Sequence, residues 1–315
     1  MRSRIAVVWF AIEMKHWLTY PLIQHPLNPE FVTGEAIARF AEAAETAGFS
    51  GLAFTDHPAP SHKWLNAGGH DALDPFVALS FVAAATERLL LIPNIVVLPY
   101  RNPFLTAKSV LSLDVLSGGR LTLGIAAGYL RSEFNALGVD YDERNDLFDE
   151  ALEVMRLALT EDAVVYTGRH FRSRGTTMRP RPVQQPCPPI WIGGNSLRAM
   201  QKAVASADGW CPVPNPAAAS PALKTPRLET LDDFATRVAR AREYAAEIGR
   251  TAPFDICFAP LSTSTFVSGG DRGALRDELA VYESLGVTQV PVGVHATTRV
   301  EWLAKAEQLA SDLMP

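Results

Sequence analysis

The chain of 315 residues is 48% hydrophobic and 20% charged, with a formal net charge of −5. That apolar share is enough for a sizeable core, and the acidic balance excludes the concentrated basic face that nucleic-acid binding requires. No apolar run approaches the roughly 20 residues of a membrane span, the Met1-Arg2-Ser3-Arg4 start reads as too short for a signal peptide, and Cys187, Cys211 and Cys257 are odd in number without CxxC spacing. A cytoplasmic protein with neither a disulfide framework nor a zinc site is expected.

Residues 5–10 form a continuous apolar run, the mark of a strand buried on both faces. Thr33 can cap a helix in which Ile37, Phe40, Ala41 and Ala44 recur at helical spacing, and Gly48 stops it before a second strand at 52–55. The loop 56–74 holds three of the seven histidines, and loops of that length within a domain are usually functional. A helix over 76–85 leads to a third strand, 89–98, interrupted by Pro93. Arg101-Asn102-Pro103 opens a helix ending at Leu116, and Ser117-Gly118-Gly119 releases the chain into a fourth strand over 121–125. Gly128 then lets the backbone leave with no side chain in the way, a gap suited to a flat ligand.

A helix over 142–159 buries Leu147, Ala151, Val154 and Ala158, after which 164–166 and 170–171 flank Thr167-Gly168-Arg169 as an added hairpin. Strands at 189–192 and 209–211 bracket a helix that Asn195 is expected to cap. A helix over 231–248, a strand at 254–259, a helix capped by Asp271, a strand at 287–292 and a capping box at Thr298-Arg299-Val300-Glu301 complete the chain. Alternation of apolar strands with helices predicts an α/β fold, a (β/α)8 TIM barrel with hairpin and loop insertions, in a single domain.

In such barrels the reactive groups follow the C-terminal ends of the strands. Strand two delivers Asp56-His57, a carboxylate that can orient an imidazole for proton transfer. Strand four delivers Ala127-Gly128-Tyr129, followed by Glu133, which could be a proton donor but reads better as a solvated helix-start charge. Strand five delivers Gly193-Gly194-Asn195-Ser196, whose backbone N–H groups and hydroxyl at a helix start suit a phosphate, although a tight turn with an ordinary Asn cap explains the same residues. His62 and His70 are not at metal-ligand spacing, and Trp9-Phe10-Ala11-Ile12-Glu13 lacks a His-x-His, so no metal is expected. Trp9, Trp64, Trp191 and Trp210 are candidates for an aromatic cleft, with core the default for Trp191.

Asn102-Pro103, the run from Ser117 through Gly124-Ile125, Glu133-Phe134 with Leu137-Gly138, Arg144, Asp149-Glu150-Ala151-Leu152 and Ile192-Gly193-Gly194-Asn195-Ser196 together resemble the bacterial luciferase-like superfamily. The likeness is greatest to its oxidoreductases that use coenzyme F420, a 5-deazaflavin. That resemblance implies Asp56 and His57 beside the cofactor ring, a non-proline cis peptide at Asn94-Ile95 behind it, Ala127 and Gly128 along it, and Gly193, Gly194, Asn195 and Ser196 at its phosphate. It also implies a homodimer paired through early helices. In the sugar-phosphate branch an acidic residue follows the glycine matched by Gly128; here Tyr129 stands there, which speaks against that proton donor and that substrate. The expected activity is hydride transfer between F420 and a small organic substrate, with His57 or Tyr129 moving the proton. The alternatives are an FMN-dependent monooxygenase of the same fold and a binding protein without catalysis.

Overall fold

The structure, a computed structural model, describes residues 13–22, 24–217, 224–262 and 272–314. The apolar run 5–10, Trp9 and the capping Asp271 lie outside the described residues. The chain divides into two compact units, one made of Leu18–Pro189 with Val294–Pro315, the other of Ile190–Gly293 with the residues up to Trp17.

The larger unit takes up the end of β1 (Lys15–Thr19), whose chain continues into Tyr20, where the amide donates to the Ala53 carbonyl. The strand Lys-His-Trp-Leu-Thr was not anticipated: its mixed polarity hides a segment in which His16, Trp17 and Leu18 are all buried. Helix α1 (Gly34–Thr46) starts where Thr33 Oγ1 accepts from the Ala36 amide, and it buries Ile37, Phe40, Ala41 and Ala44 as its spacing predicts. β2 (Gly51–Phe54) is buried along its whole length, and the loop after it contains a short helix, α2 (His62–Asn66), capped by Ser61. Asp74 and Pro75 open α3 (Pro75–Ala85), the carboxylate accepting from the Phe76 and Val77 amides.

The expected single third strand is two: β3 (Leu90–Pro93) pairs in parallel with β2, Leu52 opposite Leu91, and β4 (Val96–Val97) follows the cis peptide Asn94-Ile95. Asn102 caps α4 (Pro103–Leu116). β5 (Leu123–Ala126) then runs parallel to β4, Ile125 opposite Val96. A six-residue helix, α5 (Arg131–Ala136), and the long α6 (Arg144–Thr160) come next, and β6 (Val164–Thr167) with β7 (Arg172–Thr176) makes the expected hairpin. Glu150 on α6 pins it by accepting from the His170 and Phe171 amides.

In the second unit β8 (Ile190–Gly193), β9 (Gly209–Cys211) and β10 (Asp255–Ile256) pair in parallel, with α7 (Leu197–Ser206) and α8 (Leu231–Glu247) between them in sequence. Trp191 and Trp210 are core here, not cleft walls: each is buried, and their indole N–H groups donate to Asp255 and to the Gly194 carbonyl. α9 (Arg272–Ser284) and β11 (Gln289–Gly293) finish this unit. The last helix, α10 (Arg299–Leu313), belongs to the larger unit, where Trp302 stacks on Phe40 with ring centroids 4.3 Å apart. Thr298 caps it as expected, but Glu301 reaches back to the amide and hydroxyl of Thr297, one residue earlier than a capping box requires.

Candidate active site

In the larger unit, the C-terminal ends of β2, β4 and β5 bring Asp56, His57, Tyr100, Arg101, Tyr129 and Glu133 together. Asp56 is 2% exposed and does not orient His57. Its Oδ1 accepts from Arg101 Nη2 at 2.6 Å, while its Oδ2 accepts from Arg101 Nε and from the Val97 amide, both at 3.1 Å. Arg101 also donates to Asp74 at 3.1 Å. Burial pushes the Asp56 carboxyl upward, against the pull of Arg101 and the Val97 amide. The two-toothed pairing is that of a carboxylate. Asp56 therefore ties the ends of β2 and β4 to the start of α3 by way of one guanidinium.

The residue that meets His57 is Glu133. Its Oε2 lies 3.3 Å from His57 Nδ1, and its oxygens accept from the Ala59 amide at 3.4 Å and the Tyr100 hydroxyl at 3.5 Å. The expectation of a solvated charge is corrected: Glu133 is 1% exposed, since the short α5 turns both it and Phe134 inward. The signal was present in the closeness of Glu133 to the end of β5, since the short α5 that carries it begins only five residues after that strand. Arg101 was signalled too, as an opposite charge following the strand beside the one that carries Asp56.

Rings enclose His57. Trp64 lies against it at 4.7 Å between centroids, His70 meets it edge-on at 4.9 Å, and Tyr129 stands edge-on at 6.2 Å. Burial lowers the His70 pKa, leaving an uncharged ring at neutral pH, and burial together with the Glu133 charge pushes the Tyr129 phenol up to about 12. Burial and the nearby carboxylates Asp56 and Glu133 raise Tyr100 as well. Both phenols are thus neutral donors, not bases, under ordinary conditions.

Asn94 and Ile95, joined by the cis peptide, are half-buried, as are Ala127 and Gly128. A Cβ on Gly124 would lie 2.6 Å from the Pro93 carbonyl oxygen, so β5 passes flush beside this bulge. Gly128 has a reason of its own: its φ is +75°, and a Cβ there would meet Val97 Cγ1 at 2.4 Å. The packing of the chain on itself already requires the missing side chain that the sequence suggested for a ligand.

In the second unit, the expected cap Asn195 is replaced by Ser196, whose Oγ accepts from the Ala199 amide at 3.1 Å. Asn195 is buried and committed elsewhere: its side chain donates to the Val213 and Pro226 carbonyls and accepts from the Val213 amide, closing the base of the following loop. The Gly194 amide donates to the Cys211 carbonyl. Of this turn, the Ser196 hydroxyl proton and the helix start keep the polarity that suits an anion. Among the described residues there is no cluster of three His, Cys, Asp or Glu side chains fit for a metal ion, and no helix is long and apolar enough to cross a membrane.

Comparison with known proteins bears on this arrangement. An uncharacterized protein of Mycobacterium tuberculosis (strain ATCC 25618 / H37Rv) is 32% identical over 265 residues, 80% of this chain and 83% of its own length. The oxygenating constituent of 3,6-diketocamphane monooxygenase from Pseudomonas putida superposes with a TM-score of 0.75 at 15% identity, covering 96% of this chain and 99% of that one. The coenzyme F420 dependent tetrahydromethanopterin reductase of Methanopyrus kandleri superposes with a TM-score of 0.72 at 18% identity, with the same coverage. These likenesses show the fold, the α/β (β/α)8 barrel. A family profile described as luciferase-like monooxygenase matches residues 16–310, and the chain belongs to that family.

Proposed function

We propose that the protein is an oxidoreductase that moves a hydride between coenzyme F420 and a small organic substrate. The observation that carries this reading is half-buried His57 paired with buried Glu133 and standing beside Tyr129, next to the half-buried edge of Asn94, Ile95, Ala127 and Gly128. The deazaflavin, when bound, supplies the hydride chemistry. In this reading the residues fit such a group: the flush contact of β5 with the bulge offers a flat backing for a ring, and Ser196 still has its hydroxyl proton to donate to a phosphate. Gly193, Gly194 and Asn195 shape the turn that leads to Ser196 and do not donate themselves, because the Gly194 amide is taken by the Cys211 carbonyl, the Asn195 amide by Thr225 Oγ1 and the Asn195 side chain by Val213 and Pro226. His57 exchanges the proton with the substrate, Tyr129 donates a hydrogen bond as a neutral phenol, and Asp56 supports the strand ends through Arg101. The solved reductase of Methanopyrus kandleri, F420-dependent by its name, supports the choice of cofactor.

A second reading keeps the same residues and binds FMN for oxygen chemistry. It is favoured by the family description as monooxygenase and by the Pseudomonas putida neighbour, solved in complex with FMN. The binding protein without catalysis keeps its motive in Tyr129, but the buried Glu133 carboxylate against His57 speaks for proton transfer instead. The same proposal has the chain act in the cytoplasm as a single domain and a homodimer. Val77 and Phe81 on α3 and Leu105 on α4, all exposed, support the pairing, which light scattering of the purified protein would test.

Equilibrium titration with F420 and, separately, with FMN tests the main reading. Micromolar or tighter binding of F420 with FMN weaker is the expected result. Preference for FMN together with oxygen uptake in the presence of reduced flavin would replace it by the second. His57→Asn should abolish turnover while leaving cofactor affinity within about threefold; equal loss of both would make His57 a binding residue.

A further inference from the structure

We propose that Glu133, and not Asp56, is the positioning residue of His57, fixing the neutral imidazole with its proton on Nδ1 and leaving Nε2 as the atom that exchanges a proton. The role of His57 in turnover rests on the reading above; its tautomer rests on the geometry alone.

Asp56 is adjacent in sequence but fully engaged by Arg101 and the Val97 amide. Among the described residues, Glu133 has no cation as a hydrogen-bond partner other than a potential imidazolium: its partners there are His57, the Ala59 amide and the Tyr100 hydroxyl. A carboxylate buried to this degree needs each donor it can find. A neutral imidazole donates to it only from Nδ1; a bare Nδ1 would set lone pair against lone pair at 3.3 Å. A half-turn of the ring would leave Trp64 and His70 in place but set the Cδ2–H against the carboxylate and forfeit the Nδ1 bond, so Glu133 favours the orientation in which Nδ1 faces it. This is the less common tautomer of free histidine, so something must impose it, and Glu133 is the group in place to do so.

The consequence for the reaction is directional at the level of one atom. When an alcohol is oxidised, its carbon gives up a hydride with the bonding pair to the two-electron carrier, and its hydroxyl proton passes to Nε2. The imidazolium so formed has its charge met by Glu133. In the reverse sense Nε2–H gives its proton to a carbonyl oxygen as the hydride arrives at carbon. With the opposite tautomer the neutral ring would present Nε2–H and could not accept.

The test is a two-bond 15N–1H correlation spectrum of the full chain labelled at histidine, about two pH units above the ordinary histidine pKa of ~6.5. His57 is assigned by the signals that vanish in His57→Asn. The expected pattern is protonated Nδ1 with bare Nε2. In Glu133→Gln the amide can accept from Nδ1 or donate to it, so it ceases to dictate, and the Nε2–H form should emerge. Asp56→Asn should leave the His57 pattern as it is. A wild-type His57 already protonated on Nε2, or a Glu133→Gln spectrum identical to wild type, overturns the proposal. Kinetics add a second arm. Loss of the correct tautomer costs as much as about 10⁴ in kcat in a catalytic triad, so Glu133→Gln should lose about tenfold or more in kcat with F420 affinity within about twofold. Because the spectrum needs no cofactor, failure to bind F420 would sink the functional reading and leave the tautomer standing, and the reverse holds too.

Discussion

Replacing Arg101 by methionine separates the two halves of the ion pair at the strand ends. The Asp56 side chain is 1% exposed and that of Arg101 is 22% exposed, so each half leaves a different residue behind. In Arg101→Met the buried carboxylate keeps one protein donor, the Val97 amide, and loses the two guanidinium bonds. Breaking a buried pair from one side costs about 3–5 kcal/mol; the partial exposure of Arg101 puts the expected loss near 3 kcal/mol. Asp56→Asn instead leaves an oxygen to accept from Val97 and a cation that still has Asp74 and some solvent, for about 1–2 kcal/mol. Urea unfolding with a common slope would read both as midpoint shifts. The difference should also depend on pH. Burial already raises the folded-state pKa of Asp56, and loss of Arg101 raises it further. An acid whose folded pKa lies above its unfolded value of about 3.9 gains stability for the fold as pH drops through the folded pKa. The deficit of Arg101→Met should therefore be full at neutral pH and narrow on acidification. An Asp56→Asn loss equal to or larger than that of Arg101→Met, or a deficit that does not change with pH, would refute the reasoning.

Gly128→Ala places a Cβ 2.4 Å from Val97 Cγ1 at a φ of +75°, and should cost about 1–3 kcal/mol in the same unfolding assay even without any ligand. Tyr129→Phe should slow turnover without moving the pH profile below about pH 10, because the phenol, pushed up to about 12, does not ionise in that range; a basic limb that disappears in the variant would show that it does. Ser196→Ala removes a helix cap worth about 1 kcal/mol and a hydroxyl donor, so affinity for F420 should fall along with stability. Stability falling alone would confine Ser196 to capping.

Alternation of apolar runs with capped, periodic helices was enough to recover the α/β barrel class, since strand burial and helix faces are written in local spacing. Thr33, Ser117-Gly118-Gly119 and Thr298 mark ends that local hydrogen bonds enforce. β1 escaped because His16 and Lys15 break its apolar pattern, although the side chains of His16, Trp17 and Leu18 are buried together. The reactive residues at strand ends could likewise be collected from order along the chain. Their partners could not. Asp56 stands next to His57 in sequence, and adjacency suggested that the carboxylate serves the imidazole. Adjacent residues of an extended chain point to opposite sides. In the tertiary structure Asp56 is turned to Arg101 and Val97, while His57 faces Glu133, 76 positions away. Asn195 shows the same limit, since the Val213 to Pro226 loop that claims its side chain is distant in sequence and close only once folded. The sequence by itself determined which elements form and which residues reach the strand ends, because those follow from short-range pattern. Which carboxylate meets which base was decided by the tertiary structure alone, because a buried charge takes the donors that packing brings to it.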